Sequence, residues 1–140
     1  MIIKQSQPFS IGYNSITELD GKHSEMLMDF GILKLNKGGV EVNEEQKERA
    51  YLLISGEVVF KWTGNEVTAK RDNCFDQDPW CLHVPAGVKV ELEVLLDGTE
   101  IAVTKTLNDK TFAPKLYTPE ECRSEQRGKG TMKETSTRTV

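Results

Sequence analysis

The stretch Leu52-Leu53-Ile54-Ser55-Gly56-Glu57-Val58-Val59-Phe60-Lys61-Trp62-Thr63-Gly64-Asn65-Glu66-Val67 holds the grammar of the whole chain. Two apolar, β-branched or aromatic runs, Leu52-Leu53-Ile54 and Val58-Val59-Phe60, flank Ser55-Gly56, and Thr63-Gly64-Asn65 leads from the second run towards Val67. Each break sets a glycine where positive φ carries no steric penalty. Both are therefore read as hairpin turns between adjacent antiparallel strands.

The same grammar extends outward. Val88, Val90, Leu92 and Val94 alternate with Lys89, Glu91 and Glu93, the period-two pattern of a strand with one buried and one wet face. Strands are predicted around 10–13, 26–35, 39–42, 50–54, 57–63, 66–71, 80–84, 88–95, 100–106 and 115–118. No stretch before the tail sustains an apolar i, i+3, i+4, i+7 pattern. About ten short strands in one domain call for a sheet that is doubled or closed to protect its edges. The expected fold is all-β, a jelly-roll barrel over 1–118.

Residues 119–140 read differently. Thr118-Pro119-Glu120-Glu121 has an N-cap, a proline at the first helical position and an N3 glutamate, so one helical turn is expected there. Beyond it, the runs Glu125-Gln126-Arg127-Gly128-Lys129-Gly130-Thr131 and Glu134-Thr135-Ser136-Thr137-Arg138-Thr139 are polar and offer too few apolar groups for a core. A linker or arm is expected.

At 140 residues the chain suits a single core. Hydrophobic residues are 37% and charged ones 29%, with no apolar run near the roughly 20 residues that span a bilayer. The first residues, Met1 to Pro8, lack the apolar run of a signal peptide, so a cytoplasmic location is expected. Cys74, Cys81 and Cys122 are odd in number and without a CxxC pair, which argues for reduced thiols, Cys81 in the core, over a disulfide framework or structural zinc. A formal net charge of −4 supplies no basic face for phosphates, so nucleic acid is not an expected partner.

The stretches 38–56 and 73–87 have the spacing of two cupin motifs: a turn, a loop with ligand positions, a strand ending in glycine, then Pro85-Ala86-Gly87. Closer still, Cys81-Leu82-His83-Val84-Pro85-Ala86-Gly87 resembles the second motif of the 5-deoxy-glucuronate isomerase family. Glu100-Ile101-Ala102-Val103, Lys115-Leu116-Tyr117-Thr118-Pro119-Glu120-Glu121 and Arg127-Gly128-Lys129-Gly130-Thr131 extend the likeness. That family consists of bicupins of myo-inositol catabolism, related to deoxy-hexulosuronate ketol-isomerases. The resemblance implies that this chain is the N-terminal cupin half and that the divalent metal belongs to a second cupin about this size. It also implies a sugar acid as the small-molecule ligand and a second cupin domain as partner; a homo-oligomer is the other expected partner, because sheet edges pair, here through a strand near the N-terminus or the arm from Arg127 to Val140.

Aldose–ketose isomerisation needs a base near the α-carbon and a positive group for the enediolate. In a metal-binding cupin the first motif runs His-x-His, then Glu, then a six-residue gap to Gly. Counted back from Gly56, the Glu position falls on Arg49 and the His pair on Val42 and Glu44 or on Asn43 and Glu45. The second-motif histidine falls on Val90. With only His23 and His83 in the chain, no three-histidine site exists within it, so no metal is expected here.

The catalytic residues are left unassigned, and the pocket-lining candidates are His83, Trp62, Trp80, Asn43, Glu45 and Glu48. Asn43, Glu44, Glu45 and Glu48 are either oxygen ligands for a hard cation or a solvated charged loop. His83 either faces the cavity as base or hydroxyl partner, or is a partly buried, hydrogen-bonded histidine. Trp62 and Trp80 either stack on a sugar or pack in the core. Two functions follow: a family member whose metal-free half is not catalytic alone, or a noncatalytic module for sugar-acid binding or assembly.

Overall fold

A computed structural model describes residues 2–127 and 135–139. The chain forms β1 (Gly12–Thr17), β2 (Asp29–Leu35), β3 (Val40–Asn43), β4 (Glu48–Trp62), β5 (Asn65–Arg71) and β6 (Cys81–Val84). It continues through β7 (Val90–Val94), β8 (Thr99–Thr106), β9 (Lys115–Tyr117), β10 (Arg123–Arg127) and β11 (Thr135–Thr139). Among the described residues there is no α-helix, only single 3₁₀ turns at Ser24–Met26 and Pro119–Glu121. The all-β expectation holds. Among the described residues no helix is long and apolar enough to cross a membrane.

Strand β4 organises the barrel. Its first half pairs with β6 and β8, in a layer ordered β1-β2-β8-β4-β6-β9, and its second half pairs with β5 and β7, with β3 beyond β7. Side chains at 49, 51 and 53 point inward; the register then shifts between Leu53 and Ser55, after which 56, 58, 60 and 62 are buried. One bulge thus turns a single strand from one layer into the other without loss of an inward apolar face.

This corrects the reading of Ser55-Gly56 as a hairpin turn. Gly56 has φ +111, and a Cβ there would lie 2.2 Å from Thr99 Oγ1. Glycine's freedom serves a bulge pressed against β8, a use that shares its sequence signal with a turn. Thr63-Gly64 is the hairpin expected: Trp62 faces Asn65 across it, and both turn residues have positive φ.

The core between the layers holds Leu33, Tyr51, Leu53, Val58, Phe60, Leu82, Val84, Val90, Leu92, Val94, Ile101 and Val103. The predicted alternation along β7 is met, with Val90, Leu92 and Val94 buried and Glu91 and Glu93 partly exposed and paired with Lys61. The strand expected from 26 starts instead at Asp29, because Leu27 takes φ +57 after the 3₁₀ turn.

At the end of the barrel, the Thr118 amide donates to Glu121 Oε2 at 3.0 Å, capping the expected turn. The stretch read as a linker or arm contains two strands, β10 and β11, paired antiparallel from Arg123↔Thr139 to Arg127↔Thr135. Backbone pairing needs no apolar core, which is why a polar composition did not announce it. Gly128 to Thr131, the centre of the family-like connection, lie outside the described residues.

Candidate functional site

The four positions that metal ligands would take in a cupin are brought together on the inner face of the barrel. Asn43 pairs with Val90 across β3 and β7, and Arg49 reaches Asn43 from β4. Arg49 is fully buried. Its guanidinium donates from Nε to the Lys47 carbonyl (3.0 Å), from Nη1 to the Asn43 carbonyl (2.9 Å) and Asn43 Oδ1 (2.6 Å), and from Nη2 to the carbonyls of Pro85 (3.3 Å) and Val88 (2.5 Å). A guanidinium has five N–H donors, and here each has an acceptor. A buried charge is tolerated when so completely hydrogen-bonded. The cation therefore locks the first-motif loop to the loop between β6 and β7, and has no donor left for a ligand.

Towards the mouth, charges are paired with one another. Glu45 Oε1 accepts from Asn43 Nδ2 at 2.7 Å and from Lys105 Nζ at 2.5 Å, while Lys47 Nζ donates to Asp29 Oδ2 at 2.6 Å. Burial would raise the Glu45 carboxyl, but the hydrogen bonds from Lys105 and Asn43 hold it below the usual glutamate value. Asp29 is treated alike: burial opposes ionisation, and Lys47 with the Leu19 amide outweighs it. Both carboxylates are ionised at neutral pH.

Two tyrosines complete the wall. The Tyr13 ring lies over Gly31, where a Cβ would meet its Cζ at 2.6 Å, and Lys105 Nζ sits 5.3 Å from the ring centroid. Burial, and then the carboxylates of Asp29, Glu45 and Glu18, push the Tyr13 phenol up to about 12. Tyr51, 2% exposed, lies against Arg49, and its hydroxyl finds no well-formed hydrogen bond. Burial raises it to about 12 as well.

Tyr13, Glu41, Asn43, Glu45, Tyr51 and Lys105, over Leu33 and Val103, enclose a cavity of about 250 Å³. A second hollow of about 330 Å³ shares Tyr13, Glu45 and Lys105 and extends to Asp29, Lys47 and Ser15. Of the predicted pocket residues, Asn43 and Glu45 are here. Glu48 and His83 are not, because β4 and β6 turn Arg49, Tyr51, Leu82 and Val84 inward and their neighbours outward. Those two meet on the outer face, His83 Nε2 to Glu48 Oε1 at 2.6 Å, with Asn108 Nδ2 2.5 Å from Glu48 Oε2 and the Phe112 ring 4.6 Å from the imidazole. His83 is thus a partly buried, hydrogen-bonded histidine.

Trp62 is a core residue whose surroundings border a surface groove with Lys61, Lys89 and Glu91. Trp80 packs on the core. His23 sits in its expected turn, 3.6 Å from Glu25. The residues read as oxygen ligands do not converge: Glu44 is exposed and Glu48 faces outward. Among the described residues no group of three or more His, Cys, Asp or Glu side chains is placed to hold a metal. Cys81 is buried, with its thiol pushed up to about 11 by that burial, which makes it a poor nucleophile.

Sequence reasoning missed Lys105, Lys47, Asp29, Tyr13 and Tyr51. The signal was parity. Lys105 continues the inward series Ile101, Val103, and Tyr51 stands between Arg49 and Leu53.

A model of the KduI/IolB family matches residues 1–140. No curated protein sequence matches. Among solved structures, an IolB-like protein from Salmonella typhimurium is similar with a TM-score of 0.69 at 17% identity, over 87% of this chain and 47% of that one. The present chain thus spans about half of its length. A cupin superfamily protein from Desulfitobacterium hafniense is similar with a TM-score of 0.54 at 12% identity, over 77% and 84% of the two chains. The EutQ protein of Clostridium difficile has a TM-score of 0.50 at 14% identity, over 70% and 68%. At these identities the likenesses establish the cupin fold.

Proposed function

Because the chain belongs to the KduI/IolB family over residues 1–140, we propose that it is a cupin half that supports sugar-acid isomerisation without housing the chemistry. The observation that carries this reading is Arg49. It stands at the cupin glutamate position with all five donors engaged, four of its five acceptors being backbone carbonyls. A permanently charged guanidinium in that place repels a divalent cation and cannot take a proton from carbon.

The positions for imidazole ligands hold Asn43, Glu45 and Val90, and Asn43 and Glu45 are bonded to each other. The metal and the base for aldose–ketose isomerisation then belong to a second cupin, and this barrel acts as scaffold and interface. Support for an interface comes from β3, which among the described residues pairs only with β7 and turns half-exposed Val40 and Val42 outward. Such an edge pairs readily with another copy or a second cupin.

The test is metal content by mass spectrometry with turnover of 5-deoxy-glucuronate, on the purified chain with and without added divalent metal. Neither stoichiometric metal nor turnover is expected. Bound metal with turnover abolished by Glu45→Gln would place chemistry in this barrel and overturn the proposal.

A further inference from the structure

We propose that the barrel-mouth cavity is a binding site for a small uncharged polyol, of the size of one six-carbon sugar or sugar alcohol. This goes beyond the scaffold reading, and it selects against the sugar acid that the family's chemistry would suggest.

The first observation is the Tyr51 hydroxyl. It is buried in the cavity wall against Arg49, whose five donors are spent elsewhere, and makes no well-formed hydrogen bond among the described residues; a buried hydroxyl so poorly satisfied is costly. A ligand hydroxyl entering the cavity gives it a partner.

The second is the state of the charges. Lys105 is held by Glu45 and Lys47 by Asp29, and the donors of Arg49 are all used. Glu41 is the one lining carboxylate with no hydrogen bond or ion pair among the described residues. An incoming carboxylate would find no free cation and would meet Glu41. An uncharged polyol meets neither penalty, and its hydroxyls can donate to Glu41 and Glu45 while accepting from Tyr51.

The third is shape. Leu33 and Val103 form an apolar floor, and Tyr13 adds an aromatic side, suited to the C–H face of a sugar. A volume of about 250 Å³ is below the roughly 300–1,000 Å³ of pockets for larger ligands.

Calorimetric titration of the chain with D-glucose, D-sorbitol and D-glucuronate at low salt tests this, beside the Tyr51→Phe and Glu41→Gln variants. At least one of the two neutral polyols should bind saturably, at least tenfold more tightly than glucuronate. Tyr51→Phe, which removes only the poorly bonded hydroxyl, should weaken that binding at least tenfold while keeping the wild-type unfolding midpoint or raising it. Glu41→Gln should narrow the gap to glucuronate. The proposal is overturned if neither neutral polyol binds saturably, if Tyr51→Phe binds as the wild type does, or if glucuronate binds best. Metal content and turnover are read separately, so failure here leaves the scaffold reading standing, and the reverse is equally true.

Discussion

Arg49 Nη1 donates to both the carbonyl and the side-chain oxygen of Asn43, at 2.9 and 2.6 Å, so one guanidinium fixes the end of β3 and the inward face of β4 together. Replacing Arg49 by Met leaves four backbone carbonyls and Asn43 Oδ1 without that donor. Some of these can turn to other partners, but each one left buried and unsatisfied costs about 1–3 kcal/mol. A loss of at least about 3 kcal/mol is expected, which for a domain of this size lowers Tm by about 10 °C. Arg49→Lys should recover only part of it, since an ammonium has three donors on a different geometry. Thermal unfolding followed by circular dichroism would decide; an unchanged midpoint for Arg49→Met would remove the structural role assigned to this residue.

The outer-face group makes a prediction of its own. Hydrogen bonds from Asn108 and then His83 hold the Glu48 carboxyl below its ordinary value of 4.5. A carboxyl depressed in the fold stabilises it above the unfolded-state value, and that stabilisation is lost as pH falls through the folded one. The Glu48–Asn108 bond anchors the segment between β8 and β9. Amide protection across 107–114, taken relative to the intrinsic exchange rate at each pH, should therefore hold at neutral pH and fall once the pH drops below about 4.5. Glu48→Gln should show the lower protection already at pH 7. Equal protection in variant and wild type at pH 7 would mean that the bond does not anchor the segment.

The alternation of Val90, Leu92 and Val94 carried the barrel in the sequence because inward and outward faces differ in composition. The site was harder to read. Arg49 was counted at the glutamate position, yet its partners are mostly backbone carbonyls, which leave no trace in residue identity. Lys105 and Glu45 are 60 positions apart, joined only by the closing of the sheet. The parity of β4 excluded Glu48 and His83 from the cavity, a step that required knowing where the bulge falls. Ser55-Gly56 could not disclose this, since a turn and a bulge ask the same freedom of glycine. The hairpin of β10 and β11 rests on backbone bonds that a polar composition neither favours nor forbids.

That bulge can be tested by the residue that makes it. A Cβ on Gly56 would lie 2.2 Å from Thr99 Oγ1 and 2.7 Å from Thr99 Cα, at φ +111. Backbone cannot yield as a flexible side chain does, so Gly56→Ala should cost about 3 kcal/mol or more, from overpacking and strain together. Gly64 also has positive φ, at +80, but a Cβ there meets nothing within 4 Å. Gly64→Ala should cost only about 1 kcal/mol. Denaturant midpoints of the two variants would separate them, and equal losses would show that the approach to β8 is not what constrains position 56.

The two cavity tyrosines predict how the fold responds to alkali. Burial is the main cause that raises both Tyr13 and Tyr51 to about 12, with the carboxylates near Tyr13 adding to it. An unfolded tyrosine ionises near pH 10. Between about 10 and 12 the unfolded chain therefore releases protons that the folded chain retains, so stability is complete below about pH 10 and falls steadily above it. Phenolate absorbance, recorded with circular dichroism to confirm that the fold persists, should show these two groups titrating late, and Tyr51→Phe should delete one late step. Removing a buried hydroxyl that makes no well-formed hydrogen bond also means that Tyr51→Phe should unfold no earlier than the wild type at pH 7. Ionisation of both groups near pH 10 in the folded chain would mean that water reaches the cavity wall freely, and with it would go the claim that the Tyr51 hydroxyl awaits a partner.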